Sequence, residues 1–161
     1  MLDRMEDILN EYKEEIENSK YSVHEILTIA SIIETESLSN EGRKDVSSVI
    51  YNRLKKGMAI QSDVTTYYAV QVDMGERDLY QKELDKYNPY NTRGPNMEGK
   101  LPIGPIASVS KNSIEAALNP SNTEYIFFVA DKNGKLYFTK TVSEHNNIVN
   151  KLKSQGLWYE Y

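Results

Sequence analysis

Apolar residues recur along this chain at two periods, and the helical one dominates. Leu2, Met5, Ile8, Leu9, Tyr12 and Ile16 stand three or four residues apart among charged side chains, which predicts one amphipathic surface helix over residues 2–18. Between residues 23 and 40 the apolar positions Val23, Ile26, Leu27, Ile29, Ala30, Ile32 and Ile33 cover most of a helix's circumference, so this second helix is expected to be buried. Ser22, followed three positions later by Glu25, is a capping box that opens it. Ser37-Leu38-Ser39-Asn40 breaks it, with Ser39 or Asn40 expected to cap a third helix that runs to about Lys56 and stops at Gly57. On that helix Arg43 shares a face with Val46 and Ile50.

The pattern then loosens. Residues 58–62 read as an extended segment entering a helix near Asp63, with Ser62 or Asp63 as its cap. Residues 73–100 hold Gly75, Pro89, Gly94, Pro95 and Gly99 and read as a long loop with a short helix over residues 79–85. Pro102 and Pro105 force extended geometry on residues 101–106, and Ser110 or Asn112 caps a helix through Leu118 that Asn119-Pro120 ends. Only residues 125–130 and 135–140 read as strands, flanking Asn133-Gly134, the signature of a hairpin. A closing helix spans residues 143–154, with Gly156 as its stop. The expectation is one α+β domain, a helical core with a single hairpin, preceded by an N-terminal helix and turn over residues 1–22 and occupying residues 23–161.

Composition narrows the function classes. A formal net charge of -5 without a basic, aromatic-interleaved cluster argues against nucleic acid. No cysteine means no disulfide, thiolate zinc site or cysteine nucleophile. The two histidines, His24 and His145, stand at no spacing that builds a metal site, and no metal or cofactor is expected. No apolar run reaches the 18 or so residues of a membrane span, and the acidic, polar start is not a signal peptide, so the 161 residues by themselves read as soluble. Gly94 to Lys100 matches a phosphate-loop spacing, but Leu101 stands where a magnesium-binding hydroxyl is needed and Pro95 removes a backbone donor, so a nucleotide site is rejected.

The candidate chemistry lies where the buried helix ends. Glu34 and Glu36 are two residues apart, so they point about 200° away from each other and cannot face one substrate as a pair. Both sit at the negative end of the helix dipole, where burial favours the protonated form that a general acid needs. The helical wheel does not choose between them. Arg43 either orders Glu34 or holds substrate; if it pairs with Glu34, that acid stays ionised while Glu36 keeps its proton. Tyr87, Asn88, Tyr90 and Asn91 in the long loop are residues of the kind that stack on sugars and bond hydroxyls.

Residues 32–37 (Ile-Ile-Glu-Thr-Glu-Ser), Arg43, residues 46–54, Gly57-Met58, Gln61-Ser62-Asp63, residues 88–92 (Asn-Pro-Tyr-Asn-Thr), residues 101–106 (Leu-Pro-Ile-Gly-Pro-Ile), residues 116–120, Phe128-Val129-Ala130 and His145-Asn146 resemble, in this order, the MltG (YceG-like) family of endolytic murein transglycosylases. The resemblance implies a lysozyme-like helical core and a single catalytic glutamate, which maps onto Glu36. It implies a glycan cleft bordered by Glu34, Ser37, Arg43, Gln61, Ser62, Asp63, Tyr90, Asn91, Thr92, Pro102, Gly104, His145 and Asn146. The implied reaction cleaves the β-1,4 bond between N-acetylmuramic acid and N-acetylglucosamine and closes a 1,6-anhydro ring. The implied partners are peptidoglycan strands and cell-wall synthesis proteins. Members of the family carry an N-terminal membrane helix and an accessory domain before this part, so the expected native setting is the outer face of the cytoplasmic membrane, reached through a segment absent from these residues. A lysozyme-type hydrolase and a silent glycan-binding domain are the rival readings. The family has also carried an aminodeoxychorismate lyase label, but no lysine here sits in a recognisable pyridoxal phosphate site.

Overall fold

A computed structural model describes residues 2–37 and 39–158. Its elements are α1 (Leu2–Glu11), α2 (Lys13–Asn18), α3 (Val23–Glu36), α4 (Arg43–Lys55), α5 (Asp63–Val70), α6 (Gln81–Leu84), α7 (Lys111–Leu118), β1 (Phe127–Ala130), β2 (Leu136–Thr139) and α8 (Val142–Ser154).

Helix α3 is the axis of the molecule. Ile26, Ile29, Ala30, Ile32 and Ile33 are all but fully buried, and α4, α5 and α7 pack around them with Val46, Ile50, Val64, Ile114, Ala116 and Ala117. Its polar members cost little, because Thr28 and Ser31 donate to the carbonyls of His24 (2.8 Å) and Thr28 (2.7 Å). The Ser31 hydroxyl also accepts the N–H of Ile106 (3.0 Å), which ties the proline-stiffened wall to the helix. The Ser22–Glu25 capping box is present in both directions.

The hairpin pairs Phe127 with Thr139 and Phe128 with Phe138. Alternation sends Phe128 and Phe138 into the core, while Phe127 lies between the Arg53 guanidinium (5.0 Å) and the His145 ring (5.2 Å). Helix α8 covers both strands.

Three local expectations are corrected. The surface helix over residues 2–18 is two helices, broken at Tyr12, whose ring turns into the core. Helix α4 starts after Gly42, not after Ser39 or Asn40: Gly42 has φ +85°, and a Cβ there would sit 2.8 Å from Leu136 Cδ1. Ser62 occupies the N-cap position of α5, yet its hydroxyl makes no cap bond. Among the described residues no helix is long and apolar enough to cross a membrane.

Candidate active site

Glu36 closes α3, and what Ser62 does instead of capping explains the site. The extended segment after α4 delivers Ser62 to the end of α3, where its hydroxyl donates to Glu36 Oε1 at 2.5 Å. Oε2 of Glu36 takes no hydrogen bond from the described residues. The side chain is only partly exposed. Burial is the largest influence and pushes its pKa up; the Ser62 bond opposes it, Asp63 adds to it and Arg93 opposes it, leaving the carboxyl at about 7. The negative end of α3 and the positive end of α5 meet at this one carboxyl, so it is poised between its two protonation states.

The segment carrying Ser62 is fixed from behind by a hydroxyl network. Thr92 Oγ1 accepts the Ser62 N–H (2.9 Å) and lies 2.7 Å from Thr65 Oγ1, which donates to the Ser62 carbonyl (2.7 Å). The Thr92 carbonyl accepts the Gln61 N–H at 3.3 Å. Asn91 orders the long loop: its amide donates to the carbonyls of Glu83, Leu84 and Lys86 and accepts from Thr66 (2.7 Å) and the Arg93 N–H (3.1 Å). Asn91 and Thr92 are buried with their hydrogen-bonding groups used in this way, so the structure places them beneath the site. Asp63 lies beside Ser62 and is paired with Arg93, an exposed cation whose charge reaches Glu36.

Glu34 leaves the opposite flank of α3 for the start of α7. Its Oε2 accepts from the hydroxyls of Ser110 (2.7 Å) and Ser113 and the N–H of Ser110 (3.3 Å), with Arg43 Nη1 at 3.4 Å. Burial pushes its pKa up, but the hydroxyl bonds, the backbone bond and Arg43 outweigh it, and the net shift is downward. Two glutamates of one helix end are thus shifted in opposite directions, Glu36 upward and Glu34 downward. Arg43 is buried against the partly buried Glu34 and also donates to the Ser110 hydroxyl (2.9 Å), so both belong to the α3–α4–α7 junction.

The remaining predicted residues fall in three places. Ser37 is buried as the C-cap of α3 and donates to the Ser39 carbonyl (2.8 Å). Pro102 and Gly104 are buried in the wall; a Cβ at Gly104 would lie 3.5 Å from the Tyr90 hydroxyl and 3.5 Å from the His24 ring, and Tyr90 meets Tyr68 edge-on at 4.8 Å. His145 stacks on Phe127 with Nδ1 buried and unbonded among the described residues, and burial and then the Arg53 charge hold its pKa down. Asn146 is exposed beside it. The structure therefore gathers Ser62, Asp63 and, beneath them, Thr92 at Glu36, with Gln61 exposed just before Ser62 in the chain, and does not bring Glu34 or Arg43 to that carboxyl.

Sequence reasoning missed Arg93 and the serines Ser110 and Ser113 as carboxylate partners. The only available signal for Arg93 was a lone cation following Asn91-Thr92. A cavity of about 480 Å³ lies on the Glu34 side, lined by Arg4, Met5, Ile8 and Leu27 among others, and one of about 420 Å³ lies near Tyr21 and Tyr51; Glu36 lines neither. Among the described residues no cluster of His, Asp and Glu is arranged to hold a metal ion.

Fold and site together define a helix-rich α+β domain organised around one carboxyl poised for general acid–base work. The chain belongs to the YceG-like family, whose model matches residues 1–151. It is 43% identical over 151 residues to the endolytic murein transglycosylase of Bacillus subtilis (strain 168), covering 94% of this chain and 41% of that protein. It is 33% identical over 156 residues to the protein of the same name from Streptococcus pneumoniae serotype 2 (strain D39 / NCTC 7466), covering 92% of this chain and 27% of that one. A crystal structure of a YceG-like protein from Listeria monocytogenes superposes with a TM-score of 0.84 at 41% identity, over 92% of this chain and 47% of that chain. The chain thus spans less than half the length of these relatives.

Proposed function

We propose that this domain cleaves the glycan strands of peptidoglycan as a lytic transglycosylase, with Glu36 as its only acid–base group. The observation that carries the reading is the Glu36 carboxyl, raised to about 7 by burial and held by Ser62; the names of the relatives supply the substrate class. Protonated Glu36 gives its proton to the oxygen of the β-1,4 bond between N-acetylmuramic acid and N-acetylglucosamine as the bond to C1 breaks. The muramyl C6 hydroxyl then attacks C1 and returns its proton to the Glu36 carboxylate, leaving a 1,6-anhydro end and an acid ready for the next cycle. No second carboxylate nucleophile is required. In the native protein the domain would work at the outer face of the cytoplasmic membrane, beside the proteins that synthesise the wall.

Mass spectrometry of digested glycan strands tests this. Products ending in 1,6-anhydro-N-acetylmuramic acid are expected; reducing ends alone would make the domain a hydrolase, and no cleavage would leave it a binding module.

Ser62 would act by steadying the carboxylate form of Glu36 between the two proton transfers. Ser62→Ala removes the largest influence holding the pKa down, so the Glu36 midpoint moves above about 7. A hydrogen bond to a charged group is worth roughly 1.5–3 kcal/mol, so kcat is expected to fall by about ten- to a hundredfold while the alkaline limb of the pH–rate profile shifts upward. An unmoved limb would deny Ser62 this role.

A further inference from the structure

Two guanidinium groups bond the segment of residues 59–63 that delivers Ser62 to Glu36. Arg53 is buried, donates Nε to the Ile126 carbonyl (2.7 Å) and Nη1 to the Ala59 carbonyl (2.8 Å), and joins no ion pair among the described residues. Arg93 is exposed, and its Nε is bonded to Asp63, the residue after Ser62. Burial and then the Arg93 charge hold the Arg53 pKa down, so each cation lies within the other's field. With Glu36 protonated, two guanidiniums and one carboxylate leave this patch positive in a chain of net charge -5.

Arg93 stands on fixed backbone. Its N–H is bonded to Asn91 Oδ1 (3.1 Å), Thr92 before it accepts the Ser62 N–H (2.9 Å), and a Cβ at Gly94 after it would lie 2.7 Å from the Lys86 carbonyl. An exposed ion pair adds little stability, so pairing with Asp63 does not account for a cation held so firmly beside the acid. Nη1 and Nη2 of Arg93 bond nothing among the described residues, and together they form the end-on fork that takes a carboxylate in two parallel bonds.

We propose that Arg93 is a substrate-binding residue whose free fork takes a carboxylate of the glycan strand seated at Glu36, so that strands bearing an acid group beside the cleaved bond are cleaved in preference to neutral ones. This rests on the reading of the domain as glycan-cleaving and extends it by naming the charged group recognised. Two sources supply that carboxylate: the lactyl group of N-acetylmuramic acid, which is free where no peptide is attached, and the acid groups of an attached peptide. At Glu36, after burial and the Ser62 bond, Asp63 and Arg93 act in opposite senses. An anion seated on Arg93 offsets the charge that favours ionisation, and the acid keeps its proton while the strand is bound.

Three purified strands test this: peptide-bearing, peptide-free, and peptide-free with the lactyl groups converted to carboxamides. The wild type is expected to show a kcat/KM about three- to tenfold higher on an acidic strand than on the carboxamide strand, a ratio that added salt reduces. Arg93→Gln should bring the ratio close to one with the urea midpoint near the wild-type value, and Arg93→Lys should keep part of it. A role confined to pairing with Asp63 would move the alkaline limb of the pH–rate profile equally on all three strands and leave the ratio intact. Preference for the peptide-free over the carboxamide strand assigns the lactyl carboxylate, and preference for the peptide-bearing strand alone assigns the peptide. No preference in the wild type, or one that survives in Arg93→Gln, overturns the proposal. If the wild type cleaves none of the strands, the functional reading fails on its own. Arg93 is then tested by binding of the same strands: a preference for acidic strands that Arg93→Gln loses supports the role, and an unchanged preference or none ends it.

Discussion

Replacing Glu36 with glutamine is expected to lower turnover by at least about a thousandfold, within the range that a positioned general acid supplies. The same variant should be more stable than the wild type in mild alkali, because the acid is held against its own ionisation. With its pKa raised from 4.5 to about 7 on folding, the native state binds this proton more tightly than the unfolded chain does. The resulting stability is complete below pH 4.5 and is lost as pH rises through 7. Glutamine has no proton to lose, so its advantage appears across that window and reaches on the order of 3 kcal/mol at pH 8. Its side-chain oxygen still accepts from Ser62, so the local geometry survives. Urea unfolding of both proteins at pH 4 and pH 8, together with turnover of purified strands, checks both halves. Full activity, or equal stability at both pH values, would remove Glu36 from the centre of the account.

Glu34→Ala is expected to behave in the opposite sense, costing stability at neutral pH. Oε2 of Glu34 gathers two hydroxyls, one backbone N–H and Arg43 at the junction of α3, α4 and α7. Truncation leaves the buried Arg43 charge without its carboxylate and two serines without an acceptor. Breaking a fully buried pair costs roughly 3–5 kcal/mol; the glutamate side chain is 27% exposed, which reduces the expectation to about 2–3 kcal/mol, or about 5–10 °C in Tm. Because the folded-state pKa lies below 4.5, this contribution is present above pH 4.5 and is lost as acid protonates the carboxylate. The variant should therefore show a weaker loss of stability between pH 5 and pH 3 than the wild type. Turnover should fall only partly, through a less firmly held end of α3. A variant as stable as the wild type at pH 7 would show that the junction does not depend on this acid.

What the chain discloses by itself depends on how far apart the partners are. The Ser22–Glu25 capping box and the hairpin around Asn133-Gly134 are local, and both stand as the sequence predicts. The break at Tyr12 is hidden, because the apolar spacing runs on through it and only the core decides where the ring goes. Gly42 as the start of α4 is hidden for a similar reason: the polar caps Ser39 and Asn40 are good local signals, but the chain enters α4 in the left-handed region (φ +85°), with the Leu136 side chain of the hairpin close against it, and that backbone favours glycine.

The two glutamates show the same limit at the site. Ser62, which meets Glu36, is 26 positions away, and Ser110 and Ser113, which meet Glu34, are 76 and 79 positions away. No periodicity in α3 could assign them. The pairing of Arg43 with Glu34 was one of two readings that its helix face allowed, and the structure supplies the partner. Asn91 has a side chain of the kind suited to sugars, yet its amide is committed to three loop carbonyls. A polar residue in a loop announces hydrogen bonding without saying to what.

The most direct measurement is a titration of the Glu36 side-chain carboxyl followed by its carbon chemical shift, assigned by comparison with Glu36→Gln. A midpoint near 7 is the result this structure predicts, while Glu34 titrates below the ordinary glutamate range. A Glu36 midpoint near 4.5 would mean that the carboxyl is already ionised when a glycan strand arrives, and it could not be the acid that starts the cleavage.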